Sequence, residues 1–241
     1  MKIIVTKDDQ EMSQKAADLL QQCMEENEES VLGLATGGTP RGTYQELIRR
    51  YKAGELDFSH VTALNLDEYV GVDKDHPQSY HTFMKEQLFQ HVNIDIEKAH
   101  IPNGQAPNLQ EECERYEALI EQVGPPHIQL LGIGHNGHIG FNEPGSSFTS
   151  ETHVVELAES TRVANARFFE SKSDVPSQAI TMGIQSIMKS ERIVLIASGE
   201  KKADAIRRLL SQEVSEDFPA SALHSHPDVT LIVDLSAYQK I

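Results

Sequence analysis

Short apolar runs alternate with longer stretches of helical periodicity along the whole chain, and this alternation limits the choice of fold more than any other feature. The apolar runs lie at residues 2–5, 31–35, 61–66, 128–133, 192–197 and 229–233, and the helical stretches at residues 8–24, 40–52, 79–91, 108–122, 159–170 and 200–210. Strands that alternate with helices pair in parallel, because each helix carries the chain back to the start of the next strand. The pattern predicts an open, mostly parallel α/β sheet in three layers, with helices on both faces.

Length and composition indicate one domain over residues 1–241. The chain has 241 residues, of which 39% are hydrophobic and 24% charged, and no linker or repeat divides it. Cys23 and Cys113 lie far apart in predicted helices, so the sequence predicts neither a disulfide nor a CxxC site. No apolar run is long enough for a signal peptide or a membrane helix, which predicts a cytoplasmic protein.

The chain is strongly acidic, with 21 basic and 37 acidic residues and a formal net charge of −16. Such a charge disfavours binding to nucleic acid or to an anionic membrane surface. It also means that an anionic ligand has to be bound by local cations and backbone amides. A small-molecule ligand is therefore expected rather than a polyanionic partner.

A glycine-rich segment with two histidines follows directly after the apolar run that ends at residue 133. Residues 132–143 contain four glycines, two histidines and one glutamate. Open α/β proteins bind their ligands at the ends of such strands. We interpret His138 as an acid–base group, with Glu143 orienting its ring, and His135 as structural. The HExxH and HxE…PCxxC patterns of zinc enzymes are absent, so no metal site is predicted.

Three other segments also begin where a predicted strand ends, and parallel strands bring such ends to one edge of the sheet. Residues 36–40 contain a Gly-Gly pair before a helix, where exposed amides can bind a phosphate group. Residues 198–201 repeat this arrangement, and either Lys201 or Lys202 can reach an anion there. The third segment starts at Asp67. The sequence thus predicts one site built from several distant segments.

Two pairs of charged residues are ambiguous from their sequence context. Asp67 and Glu68 follow the run that ends at residue 66, where a carboxylate can cap the next segment, hold a metal or act as a general base. Arg162 and Arg167 lie five positions apart in one predicted helix, so only one of them is expected to face the sheet edge. These patterns leave both choices open.

In their combination and order, these segments resemble the glucosamine-6-phosphate deaminase family, whose members are also called glucosamine-6-phosphate isomerases. The matching segments lie at residues 35–40, 65–71, 76–80, 132–144 and 161–169, so the resemblance covers nearly the whole chain. It implies a Rossmann-like open sheet. It also implies the hydrolytic, isomerising conversion of glucosamine 6-phosphate to fructose 6-phosphate and ammonia, without a metal or organic cofactor.

The resemblance implies roles for individual residues as well. His138 would open the pyranose ring, Asp67 would carry a proton between C2 and C1 through an enolamine, and Glu143 would pair with His138. The resemblance favours Arg167 over Arg162 as a phosphate ligand. The full set expected around the substrate phosphate is Thr36, Gly37, Gly38, Thr39, Ser146, Arg167 and Lys201.

The chain departs from the family pattern at two places. Asn136 stands where many members have an aspartate, so it can orient its neighbours in the active site but cannot act as a base. Where allosteric hexameric members have an Arg-x-Lys pair, this chain has His153-Val-Val, and it ends at Ile241 without their longer tail. We therefore expect a monomer or a small homo-oligomer rather than an allosteric hexamer. A lid is expected at about residues 157–182, since phosphosugar sites often close over their substrate.

Two alternative functions belong to related folds. A 6-phosphogluconolactonase also uses a Gly-Gly-Thr loop and a GxGxDGH-like loop, but residues 67–71 and 142–144 are deaminase-like in this chain. A non-catalytic sugar-phosphate sensor would need a DNA-binding segment and a basic face. The chain instead begins with its first predicted strand and is acidic, so the deaminase is favoured over both alternatives.

Overall fold

The computed structural model describes residues 1–166, 169, 174–211 and 213–241, and within them two sheets and their flanking helices. The strands are β1 (Lys2–Thr6), β2 (Val31–Leu34), β3 (Thr62–Asn65), β4 (Asp67–Tyr69), β5 (Ala99–His100), β6 (Ile128–Gly132), β7 (His153–Glu156), β8 (Gln178–Thr181), β9 (Ile193–Ala197) and β10 (Val229–Asp234). The helices are α1 (Asp9–Glu26), α2 (Arg41–Lys52), α3 (Tyr80–Gln87), α4 (Leu109–Val123), α5 (Glu159–Asn165), α6 (Ile184–Met188), α7 (Ala203–Leu210) and α8 (Leu235–Tyr238).

The larger sheet has seven strands in the order β1-β10-β9-β6-β2-β3-β5. Its strand pairs are parallel, which confirms the predicted open α/β sheet. From β2 the chain moves outward to β3 and β5, whereas from β6 it moves the other way to β9 and β10. The strand order therefore reverses between β2 and β6, and a crevice opens beyond the carboxyl ends of strands at such a point.

Helices cover both faces of this sheet, because successive side chains of each buried strand point in opposite directions. Leu130 packs in a cluster with apolar residues of α1, α2 and α3. The adjacent Leu131 packs in a second cluster with residues of α4, α7 and α8. Neighbours on β9 divide in the same way, with Ile196 in the first cluster and Leu195 in the second. The predicted three-layer arrangement is thereby confirmed.

Side chains cap the first turns of α1, α3 and α4 but not those of α2 and α7. The Asp8 carboxylate accepts a hydrogen bond from the Glu11 amide at the start of α1, and the Asn108 side chain accepts from the Gln110 and Glu111 amides at the start of α4. No side-chain cap hydrogen bond is found at the start of α2 or α7. Helix α2 begins shortly after the end of β2. The backbone amides of its first turn are therefore available to an anion.

The smaller sheet has the order β4-β8-β7 and is antiparallel, and the sequence pattern does not predict it. Only Leu66 separates β3 from β4, so the chain passes directly from one sheet to the other. Asp67 was expected just beyond a strand end, and it instead opens β4, opposite Thr181 of β8. These strands have three or four residues of mixed polarity, which is too short for a clear alternating pattern.

The lid expected at residues 157–182 stays a prediction. Residues 167, 168 and 170–173 lie outside the described residues, and the described part of this range contains α5 and β8.

Among the described residues, none of the helices combines the length and the apolar character that a membrane span requires.

We expect Gly104→Ala to destabilise the fold, because Gly104 packs against the main chain of β4. A Cβ atom at this position would lie 1.9 Å from the Tyr69 carbonyl oxygen. Overpacking of this kind lowers the free energy of unfolding by about 1–3 kcal/mol. Denaturant unfolding measures the effect. Gly132→Ala is the control, since a Cβ there meets no atom within 4 Å; equal stability of the two variants would contradict the prediction.

Candidate active site

A cavity of about 1070 Å³ opens at the edge of the sheet where β2, β3, β6 and β9 end. Its walls come from the segments that follow these strands, from α5 and from the first turns of α1 and α3. Seven of the residues predicted for the site line this cavity: Thr36, Gly37, Gly38, Thr39, Asp67, His138 and Lys201. Segments that are distant in sequence therefore meet at one edge, as the parallel topology predicts.

Three other predicted site residues, Asn136, Glu143 and Ser146, lie outside this lining. Asn136 and Glu143 are behind His138 and contact it without being part of the cavity lining. Ser146 is outside the lining too; it is half-buried, and its amide donates a hydrogen bond to the Glu143 carbonyl, 2.9 Å away. Arg167 lies outside the described residues, so its expected role as a phosphate ligand stays a prediction.

His138, Glu143 and Asn136 form a compact polar cluster. The Nδ1 atom of His138 lies 3.5 Å from Oε2 of Glu143. Asn136 donates its side-chain amide to the same oxygen at 2.7 Å, and its Oδ1 accepts from the His138 backbone amide at 3.2 Å. Asn136 therefore fixes both members of the histidine–carboxylate pair. The orienting role expected of Asn136 in catalysis stays a prediction.

Glycines are required where this loop folds back on itself. A Cβ atom at Gly134 would lie 2.3 Å from the imidazole ring of His138. Gly137 has φ +88°, and a Cβ there would overlap the ring of Phe218. The Gly134 amide also donates to the His138 carbonyl at 2.8 Å. The glycines thus let the loop close tightly enough to place His138 in the cavity wall.

The buried Glu143 carboxyl group is kept ionised by its donors. Burial acts to raise its pKa, but the contacts with His138, Thr161 and Asn136 outweigh burial and lower the pKa below its ordinary value. An ionised carboxylate 3.5 Å from Nδ1 attracts a proton on that nitrogen and so favours the Nδ1–H tautomer of His138. The Nε2 atom is then left to exchange protons with a ligand.

Asp67 has the opposite environment. Its side chain is 5% exposed, and no hydrogen bond to its carboxyl group is found within the described ranges. Burial raises its pKa well above the ordinary value, and the neighbouring Glu68 carboxylate adds to the rise. A carboxyl group with a raised pKa takes up and returns a proton closer to neutral pH. Asp67 is therefore suited to acid–base chemistry in the cavity.

The sequence left open whether Asp67 or Glu68 caps a following segment. In the structure, Glu68 caps the start of α3. Its side chain is almost fully buried and points away from the cavity toward the start of α3. It accepts hydrogen bonds from the backbone amides of Tyr80 and His81, and its Oε2 lies 2.9 Å from the His81 ring. The side chains of β4 alternate, so adjacent carboxylates have different tasks.

Features suited to an anion line the same cavity as the acid–base groups. Gly37 has φ +97°, and the turn that it forms leads into the uncapped start of α2. Lys201 is exposed and lines the cavity. Lys202 instead donates its amine to the Ile133 carbonyl oxygen at 2.5 Å, so the structure favours Lys201 as the anion ligand of the two.

Helix α5 contributes side chains that the sequence reasoning did not assign. Thr161 and Asn165 line the cavity, whereas Arg162 turns away and donates to the Val175 carbonyl oxygen at 3.1 Å. The four-residue spacing of Thr161 and Asn165 on one helix is the sequence signal that could have identified these two residues together.

Clusters of three or more His, Cys, Asp or Glu that could hold a metal are not found among the described residues.

Comparison with known proteins gives a family match over most of the chain. The family model described as glucosamine-6-phosphate isomerases/6-phosphogluconolactonase matches residues 7–232. The chain is 53% identical over 237 residues to glucosamine-6-phosphate deaminase 1 of Bacillus subtilis (strain 168), covering 98% of both chains. It is 56% identical over 237 residues to the glucosamine-6-phosphate deaminase of Shouchella clausii (strain KSM-K16), covering 98% of this chain and 96% of the relative.

Solved structures show the same fold. A structure described as a monomeric glucosamine-6-phosphate deaminase superimposes with a TM-score of 0.99 at 52% identity, with full coverage of both chains. The 6-phosphogluconolactonase of Thermotoga maritima superimposes with a TM-score of 0.78 at 19% identity, covering 97% of this chain and 99% of that one. At that identity, the second likeness concerns the fold alone.

We expect Asp67→Asn to make the protein more stable near neutral pH. The folded protein keeps the proton on Asp67 to a higher pH than the unfolded chain does, since burial raises the pKa. Stability therefore falls as the pH rises from the ordinary aspartate range toward the folded pKa, at about 1.4 kcal/mol per pKa unit. The variant lacks this loss, so in thermal unfolding experiments its advantage should grow as the pH rises above the ordinary aspartate range.

Asp57→Asn is the matched control with the opposite sign. Hydrogen bonds from the Ser59 amide and the Asn93 side chain lower the pKa of Asp57 to about 2. Its contribution to stability is present above the unfolded pKa and is lost as the pH falls through the folded value. This variant should therefore be less stable than the parent at neutral pH. A pH-independent difference for Asp67→Asn would contradict the burial argument.

Proposed function

The chain belongs to the glucosamine-6-phosphate isomerase/6-phosphogluconolactonase family, and we propose that it converts glucosamine 6-phosphate and water to fructose 6-phosphate and ammonia. The observation that carries this proposal is the meeting of Asp67 and His138 in one cavity, with Glu143 behind the imidazole. Identity of 53–56% to glucosamine-6-phosphate deaminases over nearly the full length supports it. The protein is an amino-sugar deaminase that isomerises its substrate.

The first chemical step is opening of the pyranose ring. The ring oxygen must gain a proton as the C1 hydroxyl loses one, and an imidazole exchanges protons with sugar oxygens near neutral pH. His138 lines the cavity and has its Nδ1 turned toward Glu143. The pair therefore leaves Nε2 as the atom that acts on the sugar.

The second step moves a proton between two adjacent carbons. Asp67 removes the proton from C2 of the open sugar while the C1 carbonyl oxygen takes up another, giving an enolamine; Asp67 then returns its proton to C1 as the nitrogen loses one. The resulting imine at C2 takes up water and releases ammonia, which leaves the ketone of fructose 6-phosphate. One base on a fixed strand end suits this transfer, and its raised pKa reduces the cost of holding the proton between the two steps.

The substrate phosphate binds at the segments that follow β2 and β9. The backbone at Gly37 and Gly38, together with the uncapped start of α2, offers amides to the phosphate oxygens. Lys201 adds a positive charge, and Arg167 is proposed as a second cation from the family resemblance. Local donors of this kind are needed because the net charge of the chain is −16.

The lactonase alternative is not favoured. The chain resembles the Thermotoga maritima 6-phosphogluconolactonase at only 19% identity, whereas the relatives at 53–56% identity are named deaminases.

We further propose that the protein acts as a monomer. The solved structure that superimposes at 52% identity is described as monomeric.

An ammonia-release assay tests the function directly. Purified protein supplied with glucosamine 6-phosphate should release ammonia and fructose 6-phosphate in equal amounts. Asp67→Asn should lose both the turnover and the exchange of the C2 proton with deuterated solvent. Supplying 6-phosphogluconolactone in parallel tests the alternative: acid release from the lactone without ammonia release from the amino sugar would reject the proposal.

The phosphate assignment predicts that Lys201→Met raises KM for glucosamine 6-phosphate with little change in kcat. A hydrogen bond to a charged group contributes roughly 1.5–3 kcal/mol, which corresponds to about 10- to 150-fold in KM. Steady-state kinetics measure both constants. Lys52→Met removes an exposed lysine at the far end of α2 and should leave both unchanged. An unaltered KM for the Lys201 variant would remove Lys201 from the site.

A further inference from the structure

Thr161 and Asn165 lie one turn apart on α5 and face the cavity. Residues four apart on a helix project from the same face. Thr161 is 5% exposed, so its hydroxyl group is held among protein atoms rather than in water. Neither residue is a charged or nucleophilic group with an obvious chemical task. Their contacts nevertheless lead to the two acid–base groups of the site.

The Thr161 hydroxyl donates a short hydrogen bond to Oε1 of Glu143. The other carboxylate oxygen, Oε2, is occupied by the Asn136 side-chain amide at 2.7 Å and lies 3.5 Å from Nδ1 of His138. Thr161 is thus the donor for the oxygen that faces away from His138. Without it, the described residues provide no hydrogen bond to Oε1.

Asn165 connects the same helix to the strand that carries Asp67. Its side-chain amide donates to the Tyr69 hydroxyl at 2.9 Å, and Tyr69 lies in β4. The Tyr80 hydroxyl reaches the same Tyr69 oxygen at 3.3 Å, and the two rings pack with centroids 4.9 Å apart. Helix α5 is therefore fixed at one end to Glu143 and at the other to the wall beside Asp67.

We propose that Thr161 is a positioning residue for the His138–Glu143 pair, and that Asn165 holds α5 in the place from which Thr161 acts. The proposal rests on the deaminase function given above. It assigns to α5 a task besides lining the cavity. Docking of this helix completes the hydrogen bonds of the carboxylate that sets the His138 tautomer.

The electrostatics of the cluster give the proposal a specific consequence. A buried carboxylate that loses a donor holds its proton to a higher pH. Protonated Glu143 is a weaker acceptor for Nδ1–H of His138, and the ring then loses its orientation. In the described part of the chain, His138 is the titratable side chain that contacts Glu143, while Asn136 and Thr161 are neutral. The acid limb of the pH–rate profile should therefore report on Thr161.

Three variants of α5 test the assignment by steady-state kinetics with glucosamine 6-phosphate across the pH range. Thr161→Val should lower kcat by about 10- to 150-fold, the equivalent of one hydrogen bond to a charged group, and should leave KM nearly unchanged. The acid limb of the pH–rate profile of Thr161→Val should move to higher pH. Thr161→Ser keeps the hydroxyl and should restore both properties. Ser160→Ala removes an exposed hydroxyl from the same helix and should behave as the parent.

The role of Asn165 is tested by a double-mutant cycle. If Asn165 acts by holding Thr161 in place, Asn165→Ala should lower kcat, and the Thr161→Val/Asn165→Ala protein should lose little more than Thr161→Val alone. Additive losses would show that Asn165 acts independently and would overturn this part of the proposal. A parental pH profile in Thr161→Val would overturn the assignment of Thr161.

A titration of the glutamate carboxyl carbons by NMR separates this proposal from the proposed function. Thr161→Val should raise the pKa of Glu143, while Thr161→Ser should keep it near the parental value, whether or not the protein deaminates the sugar. An active enzyme with an unmoved Glu143 pKa would reject the positioning role alone. If Thr161→Val does not fold, Thr161→Ala is compared with Thr161→Ser in the same titration, with the same two outcomes.

Discussion

The desolvated carboxyl group of Asp67 is the feature on which the rest of the site depends. It lies where the chain leaves the parallel sheet and enters the antiparallel one, with a single residue between the two strands. Burial raises its pKa, which costs stability when the group is ionised. A free loop could relieve this cost by moving the side chain into water. Pairing of β4 with β8, and the close packing of Gly104 on Tyr69, prevent such movement. The second sheet therefore keeps the Asp67 carboxyl group in the cavity wall, in a buried position that raises its pKa.

Three buried carboxyl groups differ in function because their surroundings differ. Glu68 accepts backbone hydrogen bonds at the start of α3 and serves as a cap. Glu143 receives donors on both oxygens, which keeps it ionised beside His138. Asp67 receives none among the described residues and stands next to Glu68, so it is the group that can carry a proton. Environments that push pKa values apart are the general means by which one site supports both acid and base chemistry.

The sequence predicts those parts of the molecule in which a strong pattern and a topological rule coincide. The run at residues 128–133 is apolar enough to be assigned as a buried strand, and parallel pairing then places the loop with His138 at the sheet edge. The short strands β4, β7 and β8 are defined by pairing across long sequence separations, so local periodicity does not reveal them. Thr161 was not assigned because its role depends on the position of Glu143, which only the folded chain provides. The choice between Lys201 and Lys202 likewise depends on a carbonyl group of a distant strand end.

The acidity of the chain is compatible with an anionic substrate, because the two effects act over different distances. At physiological ionic strength, charges farther away than about 8 Å are largely screened, whereas helix amides and a lysine act in direct contact. A sugar phosphate bears roughly −1.5 to −2 charges, and an ammonium group on the same sugar offsets part of them. The net repulsion of such a ligand by a chain of charge −16 is therefore small. A polyanion extends across the acidic surface and gains no comparable set of local donors, so the same charge distribution admits an amino-sugar phosphate and disfavours nucleic acid.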